Sequence, residues 1–140
     1  MNRLRSAFFG LGLLLVVSGA QAQEAHVKAN IPFDFVVRNR VLPAGEYMVS
    51  SQGSTNQLIV IRSSDRKTAI LSLTSSCSSS KPSEASKLVF HHLAGRYFLS
   101  EVWAEGNGEG RQLQKSRIEV QLAKNSNERD EIALAASLTR

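Results

Sequence analysis

A single cysteine, three prolines and one tryptophan in 140 residues leave this chain few means of stapling or kinking itself. One cysteine excludes an intramolecular disulfide, so the fold must be held by packing. Cys77 sits in Thr74-Ser75-Ser76-Cys77-Ser78-Ser79-Ser80. No histidine, lysine or arginine stands beside it to activate it, which makes it a passive thiol whose one redox option is pairing with another molecule. Catalytic signatures are missing as well: there is no G-x-S-x-G, no H-E-x-x-H, and the serines lie in loops without a histidine or acid pattern. The alternating glycines of Gly106-Asn107-Gly108-Glu109-Gly110 follow no βαβ strand, so they read as a turn and not as a phosphate cradle.

Charge of one sign is also scarce. The formal balance is +5, from 17 basic and 12 acidic residues. Arg38, Arg40, Arg62, Arg66 and Lys67 fall at expected turns, where solvated charge is usual, and no dense basic stripe points to nucleic acid.

The one long apolar run is at the start. Arg3 and Arg5 precede Ala7 to Ala20, and Ala20-Gln21-Ala22 offers small residues at the positions a signal peptidase reads. This predicts a signal peptide over 1–22, cleaved after Ala22, and an exported β-rich domain over 23–140, secreted or periplasmic. The run is shorter than the roughly 20 residues a membrane span requires, and polar Gln21, Gln23 and Glu24 follow it. No membrane span is therefore expected after cleavage. Taking Arg3 and Arg5 from the 17 basic residues leaves 15 against 12, a net +3. Of the nine aromatics, Phe8 and Phe9 leave with the leader, and Phe33, Phe35, Tyr47, Phe90, Tyr97, Phe98 and Trp103 remain.

What is present is a period of two. Val27, Ala29, Ile31, Phe33, Phe35 and Val37 alternate with mostly polar residues, the pattern of a half-buried strand, with Pro32 marking an edge or a bulge. Leu42-Pro43-Ala44-Gly45 is a turn into a strand over Glu46–Ser50. Gln57–Arg62 and Lys67–Thr74 form the next pair, the first apolar enough to be covered on both faces. Ser75–Ser86, rich in serine and holding Pro82, reads as an irregular loop joining two blocks. Lys87–His92 and Arg96–Ala104 form a hairpin around Ala94-Gly95. Its parity sets His92 opposite Tyr97, Phe90 opposite Leu99 and Leu88 opposite Glu101, with Trp103 on the same face. Gln112–Lys124 is read as a helix with strand as the alternative, and Asp130–Leu138 as a closing strand with helix as the alternative.

The chemistry-bearing residues cluster on that hairpin. Adjacent His91 and His92 point to opposite faces of a strand and do not share a metal ion readily, so no metal site and no cofactor are expected. His92, Tyr97, Glu101 and Trp103 are the candidate ligand-binding residues. Glu101, Glu105 and His92 would serve a small hydrolase or lyase, but their spacing alone does not supply the carboxyl separation such chemistry needs. Phe90, Tyr97 and Trp103 suggest either an apolar-ligand face in a small barrel or ordinary core.

Ile31-Pro32-Phe33-Asp34-Phe35-Val36-Val37 with Leu42-Pro43-Ala44-Gly45-Glu46-Tyr47, and Lys87-Leu88-Val89-Phe90-His91 with Arg96-Tyr97-Phe98-Leu99-Ser100, resemble a group of small secreted bacterial proteins of unknown function. The resemblance implies a shared fold and export over about Val27–Lys124, and brings no catalytic or ligand residues with it. The expectation is a single-domain, all-β sandwich or small barrel of about seven strands with one helix near the C-terminus. Such a domain would act as a non-enzymatic envelope or extracellular module binding a protein or glycan partner.

Overall fold

Alternation does build the first strand. In the computed structural model, which describes residues 26–127 and 129–139, β1 (His26–Ile31) buries Val27, Ala29 and Ile31 on one face. The expected signal peptide and its expected cleavage site lie outside the described residues. Pro32 has no N–H to give a ladder, and the Asp34 carboxylate accepts the Ala44 N–H at 2.9 Å, so the chain leaves the first sheet here. It resumes as β2 (Phe35–Val37), which turns through Arg38 and Asn39, both at positive φ, into β3 (Arg40–Leu42).

The remaining elements are β4 (Gly45–Gln52), β5 (Leu58–Ser63), β6 (Ala69–Ser78), β7 (Lys87–Leu93), β8 (Arg96–Trp103), β9 (Glu109–Leu113), α1 (Arg117–Asn125), β10 (Asp130–Ala135) and β11 (Ser137–Thr139). Hydrogen bonding orders the strands β10-β7-β8-β9-β6-β5-β4-β1-β11, with β2 parallel to β8. The two ends of that path are consecutive in the chain, separated by Ala136 alone. One C-terminal stretch therefore pairs with β7 through its first half and with β1 through its second. A second corner lies in β6, whose start pairs with β5 and whose end pairs with β9. The result is an all-β sandwich whose inner faces share one core, including Ile31, Phe35, Tyr47, Ile61, Leu88 and Phe90.

Among the described residues, eleven strands replace the expected seven or so. Pro32–Asp34 splits the first strand in two, Ala136 splits the last, and the short β3 and β9 carry too few alternating positions to stand out. Ser75–Ser78 is strand and not loop, because its register with β9 sets Ser76 against Arg111 and Ser78 against Glu109. The expected break between two blocks is thus a continuous ladder, and only residues 79–86 are irregular. The helix begins later than expected, since Gln112 and Leu113 belong to β9. Its start is fixed by Ser116, whose hydroxyl accepts the Glu119 N–H at 3.0 Å. Ile118, Leu122 and Ala123 then seat α1 on Val36, Leu93 and Phe98, a second apolar cluster. Asp130–Ala135 and Ser137–Thr139 are strand and not helix, with Leu134, Ala136 and Leu138 packed on the core. Among the described residues no helix is long and apolar enough to cross a membrane.

Candidate functional site

A bulge decides which hairpin residues meet. His92 faces Tyr97 and Phe90 faces Leu99 as expected, but the register then shifts between Val89 and Phe90, so that Val89 faces Glu101 and Leu88 faces Val102. The extra residue on β8 is Ser100. Beyond it every side chain changes sides: Val102 joins Leu88, Phe90 and Leu99 in the core, and Glu101 and Trp103 point outward. The single face expected for His92, Tyr97, Glu101 and Trp103 is thus two half-sites on opposite sides of the sheet.

On the inner side, Phe33, Tyr97 and His92 form a stack. Ring centroids lie 3.8 Å apart for Phe33 and Tyr97 and 4.5 Å for Tyr97 and His92. Phe33 also meets Phe90 edge-on at 5.1 Å, which makes Phe90 and Tyr97 packing residues. His91 lies on the other face, as strand alternation requires, with Nδ1 2.8 Å from Glu119 Oε1. Glu105 is exposed, and its backbone N–H donates to Ser86 Oγ at 2.9 Å. Glu101, Glu105 and His92 are therefore not gathered around one point by the hairpin. Among the described residues, no three histidine, cysteine, aspartate or glutamate side chains form a group able to hold a metal ion.

The outer side is richer. Trp103 Nε1 donates to Glu101 Oε2 at 2.8 Å, so Glu101 fixes the indole and does not pair with Lys87 or Arg96. Trp103 lies between Gly110 of β9 and Lys87 of β7. A Cβ at Gly110 would stand 2.7 Å from ring atoms, which explains why glycine occupies that strand position. Lys87 Nζ is 5.7 Å from the ring centroid on the other flank. Beyond them the segment 79–86 arches toward β10, anchored by Ser79 N–H to Gly108 O, Ser83 N–H to Asn107 O and Ala136 N–H to Ser86 O. Arch, Trp103, Lys87 and the Ala133–Ala135 strand enclose a groove of about 550 Å³. Lys81 and Glu84 come from the arch itself.

Sequence reasoning reached this groove only through Trp103. Lys81, Glu84 and Lys87 carry no period or spacing motif, and the flanking serines read as a spacer. A second hollow, of about 230 Å³, opens at the Pro43–Tyr47 turn. There the Ser64 hydroxyl and the Lys28 ammonium hold the Glu46 carboxyl below its ordinary range. The residues of the resemblance are structural at this turn: Tyr47 OH donates to Pro43 O at 2.8 Å, and Phe35 meets Tyr47 edge-on at 5.0 Å. Compared with family models, curated proteins and solved structures, the chain has no significant match.

Cys77 stands opposite Gly110, on the outer side near the Trp103 cluster. Burial pushes its thiol above the ordinary range and the Glu101 charge pushes it further, against the opposing pull of the Gly110 backbone and Arg111. Iodoacetamide alkylation of the folded protein is therefore expected to be slower near neutral pH than that of a free cysteine. It should still be rising at a pH where the free thiol has levelled off, because the thiolate is the nucleophile. Glu101→Gln is expected to move that profile partway to lower pH, burial being the larger cause. A profile that matches free cysteine would contradict this.

Proposed function

We propose that this chain is an exported, non-enzymatic module that binds a glycan in the groove between residues 79–86 and β10. The groove carries the reading. Its volume, about 550 Å³, falls within the roughly 300–1,000 Å³ of small-molecule sites. Its lining sets an indole beside serine hydroxyls and lysines, and a sugar ring offers both an apolar C–H face and hydroxyls. Export is supported by Arg3, Arg5, the apolar Ala7–Ala20 stretch and the Ala20-Gln21-Ala22 site. A binding role is favoured over hydrolysis by the carboxylates themselves. Glu101 is engaged by Trp103, and His92 lies across the sheet from it. Glycoside hydrolysis asks for two carboxyls flanking one bond.

Two measurements test the reading. Protein recovered from outside the cytoplasm should have a mass beginning at Gln23, and an intact Met1 species there would sink the export half. An immobilised glycan panel probed with the protein should yield at least one ligand whose capture is lost in Ala135→Arg, which fills the groove from β10. A panel without any ligand, or capture indifferent to Ala135→Arg, would remove the binding half.

A further inference from the structure

We infer that the glycan is anionic, a saccharide bearing carboxylates, and that Lys81 and Lys87 are its charge partners. This rests on the reading that the groove binds a glycan. Two ammonium groups and one carboxylate, Glu84, line the groove. Among the described residues neither lysine has a carboxylate within ion-pair distance; the ion pairs there join Lys28 to Glu46, His91 to Glu119 and Arg111 to Glu109. The Lys87 ammonium stands 5.7 Å from the Trp103 ring centroid, near the outer limit of a cation–π contact. Such an ammonium is readily given up to an anion. The ring beneath it stays in place, since Gly110 and Glu101 hold it from other directions.

A neutral sugar covering this groove would strip water from two unpaired cations and return only hydroxyl contacts. A carboxylate returns charge-assisted hydrogen bonds to both. An acidic peptide meets the charge requirement as well, but it brings the indole no apolar ring face. Extended peptides gain affinity by adding to a strand edge. Here β10 gives one edge to β7 and ends the sheet with the other, so a glutamate-rich peptide is the competitor that the titration has to separate. A saccharide needs no such edge. Glu84 opposes the ligand and restrains affinity, so its removal should strengthen binding.

Trp103 is the sole tryptophan, so intrinsic fluorescence reports on this groove directly. The experiment titrates the protein with an oligogalacturonate, a neutral oligosaccharide of equal length and a glutamate-rich peptide of equal charge, at low and high salt. The expected result is a saturable change with the oligogalacturonate alone, weakened by salt. Lys87→Gln and Lys81→Gln should each reduce affinity by about tenfold, and Glu84→Gln should increase it. Lys81 is exposed on the arch, so its variant tests the charge even if Lys87→Gln disturbs the indole. Equal binding of the neutral sugar with no effect of either lysine overturns the anionic inference and leaves glycan binding standing. A matching signal from the peptide overturns the saccharide. Silence from every saccharide overturns both the inference and the reading beneath it.

Discussion

Phe90→Ala is expected to lower the stability of the folded domain by about 3–5 kcal/mol, the usual loss for truncating a fully buried phenylalanine. Phe90 is wholly buried and meets Phe33 and Phe35 edge-on, at 5.1 and 5.7 Å. Phe35 in turn packs edge-on against Tyr47 at 5.0 Å. The four rings tie β7 to β2, β4 and the Pro32–Asp34 bend, so they lie where the two sheets and the bend converge. Removing the central ring leaves a cavity walled by paired strands, which cannot close in without breaking ladder hydrogen bonds. Ordinary domains have only about 5–15 kcal/mol in hand, and this one has no internal disulfide to limit the loss, since Cys77 is alone. Urea unfolding of the wild type, Phe90→Leu and Phe90→Ala checks the expectation. Leucine should fall between the other two. A loss below about 1 kcal/mol for alanine, the level of an average substitution, would show that the rings are not the centre of the core.

Most of the long strands were legible because one face is buried and the other wet, and a period of two records that directly. Ile132, Leu134 and Leu138 lie in strand on either side of Ala136 even though the alanines around them favour helix, because the pattern reflects burial against β7 and β1. Short β3 and β9 were not legible, and β2 was legible only as the far end of one strand continuous with β1. Three to five residues hold too few alternations, Pro32 reads as an edge or a bulge and not as a break, and the Gly106–Gly110 glycines suggested an ending and not a new strand. The costliest miss was the bulge at Ser100. No glycine or proline marks it, yet it moves Glu101, Val102 and Trp103 to the opposite faces from those their spacing gives. A candidate site built on strand parity was therefore divided by one residue, and the groove lies on the half that parity had turned inward. The Ser63–Thr68 turn shows the opposite case: Asp65 accepts from both Ser63 Oγ and Lys67 N–H, a local closure that a Ser-Ser-Asp sequence announces.

Glu119→Ala should be nearly as damaging as the loss of Phe90, by another route. The S-x-x-E start of α1 would ordinarily send the glutamate back to its own N-cap. Here the Glu119 carboxylate instead meets His91 Nδ1 at 2.8 Å, with the two side chains only 5% and 14% exposed. The contact is a single hydrogen bond between β7 and α1. Deleting Glu119 leaves that ring nitrogen on β7 without its partner, mostly buried beneath α1. Breaking one side of a buried pair costs about 3–5 kcal/mol. Replacing both partners with apolar side chains of similar size, as in His91→Phe with Glu119→Leu, is expected to recover most of the loss, because Ile118, Leu122 and Ala123 already dock α1 on Val36, Leu93 and Phe98. Amide exchange along α1 should follow the same order, fast in Glu119→Ala and protected again in the double variant. If the double variant stays as unstable as the single one, the polar pair itself holds the helix in place and apolar docking alone does not suffice.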